Sequence, residues 1–223
     1  MSLRVLTWNV FHGRAVPPRD EDLLDAFARR LASWSWDVAL LQEVPPWWPS
    51  PLAHACDADV RFALTSRNAL LAVRRALAQR RPELMKSNGG GCNAILVREL
   101  GIAAHARRRL RAWPERRVVH AVRDDAGRWF ANVHCSTRPA RARQDLAHAR
   151  ACVVRWASEA PVVLGGDLNV RDPRVPGFVH AGGVHVDHVF ARGFRPAAPA
   201  DVPDRGALSD HAPVLVQMGF SAA

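Results

Sequence analysis

Short apolar runs recur along this chain, and most of them end on a polar residue. Val5-Leu6-Thr7-Trp8 ends on Asn9, and Val38-Ala39-Leu40-Leu41 runs into Gln42-Glu43-Val44. Pro161-Val162-Val163-Leu164 leads into Gly165-Gly166-Asp167-Leu168-Asn169. Short apolar runs bounded by turn formers predict buried strands. Further strands are predicted over residues 92–97, 118–122, 129–135, 184–190 and 214–218, with Asp124-Asp125-Ala126-Gly127 closing a hairpin. Helical spacing appears where Leu23, Leu24, Phe27, Leu31 and Trp34 follow Asp20, a candidate N-cap. It appears again over residues 141–158, where Leu146, Ala149, Val153 and Trp156 mark a core face. A third helix is predicted to begin at Ser66 with Leu70, Val73 and Leu77 on one face, followed by a flexible loop, Lys86-Ser87-Asn88-Gly89-Gly90-Gly91. Pro45-Pro46-Trp47-Trp48-Pro49 stops the second strand at once. Its two tryptophans suit either stacking on a base or sugar or a packing corner.

No linker, repeat or low-complexity segment interrupts the pattern, so residues 1–223 are expected to form one domain. Mixed helices and consecutive strands favour two sheets with helices outside. No apolar run is long enough to span a membrane. No apolar signal segment precedes the first strand, which predicts a cytoplasmic protein, a monomer by default. Cys56, Cys92, Cys135 and Cys152 lack metal-ribbon spacing and read as free thiols. Cys135 follows His134 and should face the other side of its strand, so it is not read as a nucleophile.

Net charge changes the picture more. The chain carries +10, and Lys86 is its only lysine. Residues 101–150 hold 12 arginines against 4 acids. A GC-rich genome explains arginine in place of lysine but not the excess of base over acid. Guanidinium groups pair well with phosphate, so a polyanionic substrate is favoured.

The strand-end residues supply matching chemistry. Asp167 and Asn169 leave one strand, and Ser209-Asp210-His211 sets a carboxylate beside an imidazole. Oxygen ligands for a metal, together with a histidine, are what phosphodiester hydrolysis needs. The ordered set Thr-Trp-Asn-Val, Leu-Gln-Glu-Val, Val-His-Cys-Ser, Gly-Gly-Asp-Leu-Asn, Val-Asp-His-Val and Ser-Asp-His-Ala-Pro-Val, spread over residues 3–217, closely resembles the endonuclease/exonuclease/phosphatase superfamily.

That resemblance implies a four-layer α/β sandwich of two packed mixed β-sheets flanked by helices. It implies Glu43 as principal ligand of Mg²⁺ or Mn²⁺, with Asn9 beside it as ligand or substrate-orienting group and Asp210 as second carboxylate. Asp167 would polarise the attacking water, and Asn169 would hold the water or a phosphate oxygen. His211 would stand at the scissile phosphate, oriented by Asp187. His134 resembles the phosphate-contacting histidine of the deoxyribonuclease, sphingomyelinase and sugar-phosphatase branches; its carboxylate partner stays open among Glu83, Glu99 and Glu115. The chain has no tyrosine, unlike the abasic-site branch. Arg117, with Arg116 as rival in register, resembles a substrate-phosphate contact. His12, His120 and His185 are read only as near the site. The expected activity is a metal-dependent nuclease on DNA. The alternative is a phosphatase or phosphodiesterase for inositol phosphates or phospholipids. A catalytically dead binding scaffold is disfavoured because every one of these groups is present.

Overall fold

The computed structural model describes residues 2–66, 71–80 and 91–220. The elements run β1 (Leu3–Asn9), α1 (Leu24–Ser33), β2 (Val38–Val44), α2 (Pro49–Ala55), β3 (Asp59–Thr65), α3 (Leu71–Arg80), β4 (Gly91–Val97), β5 (Ala104–Arg111), β6 (Arg117–Arg123) and β7 (Trp129–His134). They continue with α4 (Pro139–Ala157), β8 (Val162–Asp167), β9 (Val179–Val184), β10 (Asp187–Arg192), β11 (Phe194–Pro196) and β12 (Val214–Phe220). One six-stranded sheet has the order β11-β12-β1-β2-β4-β3, the other β5-β6-β7-β8-β10-β9.

Among the described residues, only β1–β2 and β7–β8 are parallel pairs, and each is joined through a helix, α1 and α4 respectively. Parallel neighbours need such a crossover, and it lays the helix on one face of the sheet. The apolar side chains accordingly form three layers. Trp8, Leu41 and Leu96 of the first sheet pack under Phe27 and Leu31 of α1 and Leu52 of α2. Val5, Leu40, Ile95, Phe130, Val163 and Val189 fill the seam between the sheets. Val119, Val133 and Leu164 pack under Leu146, Ala149 and Val153 of α4. The result is the expected four-layer sandwich.

Glycine sets how closely these layers approach. At Gly166 (φ +141°) a Cβ would stand 1.9 Å from the Val133 carbonyl oxygen, so no side chain fits there. At Gly165 a Cβ would come within 2.9 Å of the Leu40 side chain across the seam.

A polar staple crosses the same seam. Register between β2 and β4 shifts after Leu41, and Glu43 takes φ +53°. Asn132 of β7 donates through Nδ2 to the carbonyls of Leu41 and Ala94, both at 2.8 Å, and accepts from Gln42 Nε2 at 2.8 Å. Gln42 also donates to Thr7 Oγ1 and Leu40 O. The second sheet thus supplies donors beside the irregularity that turns Glu43 out of the ladder.

Some sequence expectations need correction. Helix α1 starts at Leu24, with Asp22 Oδ1 taking the Leu24 N–H; Asp20 does not cap it. Trp48 is buried against Phe27, ring centroids 5.4 Å apart, which fixes it as part of a packing corner. Ser66 is not helical, and Val73 and Leu77 of α3 are exposed. Leu70, Glu83 and the 86–90 loop lie outside the described residues. The strand expected over 184–190 is a hairpin of β9 and β10 turning at His185 (φ +54°). Strands β3 and β5 and helix α2 had no counterpart in the sequence reading. All four cysteines are free, and burial lifts the Cys135 thiol well above its ordinary value.

His120 on β6 gives the fold a pH dependence. It is fully buried, its Nδ1 lies 3.2 Å from His105 Nε2, and its Nε2 has no partner among the described residues. Burial, and secondarily the charge of His105, depress its pKa from 6.5 to about 3. The unfolded chain therefore takes up a proton that the folded chain refuses. Stability falls as pH drops below the unfolded value, by up to ~1.4 kcal/mol per unit, until the folded pKa is reached. Urea unfolding of His120→Gln between about pH 7 and about pH 5 should show that slope reduced by one proton's worth. An unchanged slope would assign the effect to other groups.

Candidate active site

The topology gathers the strand-end residues at one edge. Asn9 and Glu43 stand at the ends of parallel β1 and β2, as do His134 and Asp167 at the ends of parallel β7 and β8. Strand β10 runs antiparallel to β8, so its first residue, Asp187, pairs with Asp167. Strand β12 runs antiparallel to β1, so the loop preceding it brings Asp210 and His211 to the same end.

Asp167 is the hub. Its Oδ2 accepts Asn9 Nδ2 at 3.0 Å and lies 3.3 Å from His134 Nε2 and 4.0 Å from His211 Nε2. Its Oδ1 accepts the Asn169 N–H at 3.0 Å. Burial, reinforced by the charge of Asp187, raises its pKa to about 7. Burial also raises the Asp187 carboxyl. Asp187 Oδ2 sits 2.7 Å from His211 Nδ1, while its Oδ1 is buried without a partner among the described residues. Burial by itself would lower the His211 pKa. The Asp187 hydrogen bond and charge, with Asp167 and Asp210, outweigh it and lift the imidazole to about 9.

The His211 backbone is fixed as firmly as its ring. Its N–H donates to Ser209 Oγ, Ser209 Oγ donates to the Asn9 carbonyl, and Trp8 Nε1 donates to the His211 carbonyl. Glu43 faces two imidazoles, with Oε2 3.0 Å from His12 Nε2 and Oε1 3.8 Å from His134 Nε2. Burial, with the charges of Arg117, His12 and His211, holds His134 well below the usual histidine range, so it is neutral near neutral pH.

Arg117 is 3% exposed, whereas Arg116 is exposed. The buried one adjoins His134 and Cys135, whose ionisation it influences. Its Nη2 pairs with Glu115 Oε2 at 2.6 Å; its Nε and Nη1 have no partner among the described residues. Glu115 is thereby engaged with arginine, and among the described residues the carboxylates beside His134 are Asp167 and Glu43. Asn169 spends its Nδ2 on the Cys135 carbonyl, which pins the loop after β8. Asp210 is exposed, with Oδ1 3.9 Å from His211 Nε2.

Two site residues escaped the sequence reading in whole or part. His12 was placed only near the site, yet it contacts Glu43. Arg14 was not singled out; burial lowers its pKa, and Glu43 and Asp210 partly restore it, so both carboxylates act on its guanidinium. The single sequence signal for either was position, just beyond the strand that ends on Asn9.

Among the described residues, one cluster of donor atoms is close enough to receive a cation. Asp167, Asp187 and His211 bring ligand atoms within 4.8 Å of one another. In that set the His211 and Asp187 atoms already bond each other, and Asp167 is satisfied by Asn9 and Asn169. Glu43 and Asp210 offer further carboxylate oxygens; Glu43 Oε2 faces His12 Nε2 at 3.0 Å, and the Asn9 carboxamide oxygen accepts the Phe11 N–H at 2.9 Å. Oxygen donors of this kind fit a small hard cation.

Residues 6–211 match the Endonuclease/Exonuclease/phosphatase family, and the chain belongs to that family. Its members hydrolyse phosphodiesters or phosphate esters. Among solved structures, the chain is similar to an endonuclease/exonuclease/phosphatase from Beutenbergia cavernae DSM 12333, at 21% identity and TM-score 0.72, covering 100% of this chain and 72% of that one. A truncated TDP2 from Caenorhabditis elegans is 19% identical with TM-score 0.67, over 99% and 98% of the two chains. The mannosyl-6-phosphatase Bt3783 of Bacteroides thetaiotaomicron VPI-5482 is 15% identical with TM-score 0.70, over 98% and 100%. At these identities the likeness is one of fold. No curated protein matches the sequence. Among the described residues, no helix is long and apolar enough to cross a membrane.

Proposed function

We propose that this protein is a divalent-metal-dependent phosphodiester hydrolase, a nuclease whose principal substrate is DNA. The observation that carries this reading is the convergence of Asn9, His134 and His211 on Asp167 Oδ2, a buried carboxylate whose pKa is lifted to about 7. A carboxylate so tuned is matched to taking a proton from an attacking water near neutral pH. Asn9 and the Asn169 amide hold it in one orientation. His211, kept protonated by Asp187, presents Nε2–H to the cleft and meets negative charge as it builds on the phosphate or the leaving oxygen. Neutral His134, with the buried Arg117 beside it, would receive non-bridging phosphate oxygens. Glu43, Asp210 and Asn9 would hold Mg²⁺ or Mn²⁺, which when bound neutralises phosphate charge.

A net charge of +10 favours a polyanion over a small neutral or zwitterionic substrate. A phosphatase or phosphodiesterase for inositol phosphates or phospholipids is the second reading, favoured by the shared fold with a sugar phosphatase. The test is incubation with plasmid, single-stranded DNA, RNA and a phosphoinositide panel, in Mg²⁺, in Mn²⁺ and in excess chelator. DNA should be cleaved only with metal, and activity should return on re-addition. Full hydrolysis in chelator would reject the metal requirement. Turnover of phosphoinositides alone would select the second reading.

A further inference from the structure

A groove of about 400 Å³ lies outside the cleft, between α1 and residues 205–208. Arg19, Arg29, Arg30 and Arg205 line it, and no carboxylate or aromatic ring appears among its lining residues. Arg19 approaches Glu21 at 3.6 Å, but both side chains are more than half exposed and water weakens that pair. Four guanidinium groups stand around one concavity, and Arg29, Arg30 and Arg205 have no ion-pair partner among the described residues. A second groove, against α4, differs. Asp172 is among its lining residues, its floor is Leu146, Val170 and Val175, and Arg150 spends Nε on the Pro176 carbonyl.

The first groove is mechanically part of the site. Arg205 Nη1 donates to the carbonyls of Gly206, Leu208 and Ser209, which stiffens the groove wall. Leu208 is buried in the same cluster as Phe27 and Leu31 of α1. Val16 N–H donates to the Ala207 carbonyl and Ser209 N–H to the Arg14 carbonyl. Ser209 Oγ then holds the His211 N–H. The groove wall at Arg205 and Leu208 is thus continuous with the loop that positions His211.

We propose that this groove is an accessory subsite for the phosphodiester backbone of a nucleic acid strand beyond its scissile phosphate. The proposal rests on the nuclease reading and specifies how an extended substrate is held. Guanidinium groups suit phosphate oxygens, and the lack of an aromatic stacking surface means that the subsite reads backbone and not base. It should add affinity without sequence preference.

The test compares a 20-nucleotide single-stranded DNA with bis(p-nitrophenyl) phosphate, which is too small to reach the groove, in Mg²⁺ or Mn²⁺. Wild-type kcat/KM should rise with oligonucleotide length. Arg29→Ala/Arg30→Ala, checked for fold by circular dichroism, should lower the ratio of kcat/KM on the 20-mer to that on the small diester about tenfold, through KM. Loss of two phosphate contacts should also flatten the log–log salt dependence of 20-mer binding by about 1.5. Anisotropy of a labelled 20-mer in chelator measures that slope without turnover. An unchanged ratio with an unchanged salt slope would overturn the subsite while leaving the nuclease reading intact. Hydrolysis of the small diester with no cleavage of DNA at any length would overturn the nuclease reading, and the subsite with it.

Discussion

His211→Ala is expected to lower kcat by ~10²–10⁴-fold while leaving the fold and most of the DNA affinity in place. His211 is one of several groups facing the phosphate, so its share of ground-state binding is small. Its interaction grows as charge develops on the reacting oxygens, and a group used mainly in the transition state costs kcat when removed. Asp187 bonds this imidazole, its Oδ2 lying 2.7 Å from His211 Nδ1, and its charge also helps to raise the Asp167 pKa. Asp187→Asn should therefore give a defect of similar size, and the double variant should be far from additive. Single-turnover kinetics on a folded protein decides the matter. Near-normal rates for His211→Ala would remove it from the catalytic set, and fully multiplicative losses would break the Asp187–His211 pairing.

The largest expected effect on stability belongs to Asn132. Asn132→Ala removes two donors to buried carbonyls and one acceptor for Gln42, all at 2.8 Å. A buried polar group left without its partner costs about 1–3 kcal/mol, so a loss of about 2–4 kcal/mol is expected. Activity of the surviving folded fraction should fall as well. The carbonyls involved flank the register shift that brings Glu43 to the cleft in a left-handed conformation, which a side chain tolerates only when its surroundings hold it there. Urea unfolding reads the first effect and kcat per folded molecule the second. A stability change below about 0.5 kcal/mol would show that the seam does not depend on this staple.

The site was legible wherever a polar residue closed an apolar run. Asn9, Glu43, His134 and Asp167 all stand in that position, because parallel strands buried on both faces write their ends plainly into the sequence. Asp187 and His211 needed the motif as well. His12 and Arg14 lie in a connection with no periodicity, and only the folded chain shows that they face Glu43. Central strands were legible for the same reason that edge strands were not. In β3, Arg61 and Phe62 are both exposed, and β5 is built largely of alanine and arginine, so neither displays an alternation. The β9–β10 hairpin was hidden by apolar residues that continue through its turn.

The residues of the candidate site are divided between the two sheets. Asn9, Glu43 and His211 belong to the first, and His134, Asp167 and Asp187 to the second. The first sheet is also closed late, because β12 inserts beside β1 after every strand of the second sheet has been made. In chain order, Asn9 and Glu43 are therefore separated from Asp210 and His211 by every strand of the second sheet. A chain cut short before residue 209 would lack Asp210 and His211 together with β12, the antiparallel neighbour of β1.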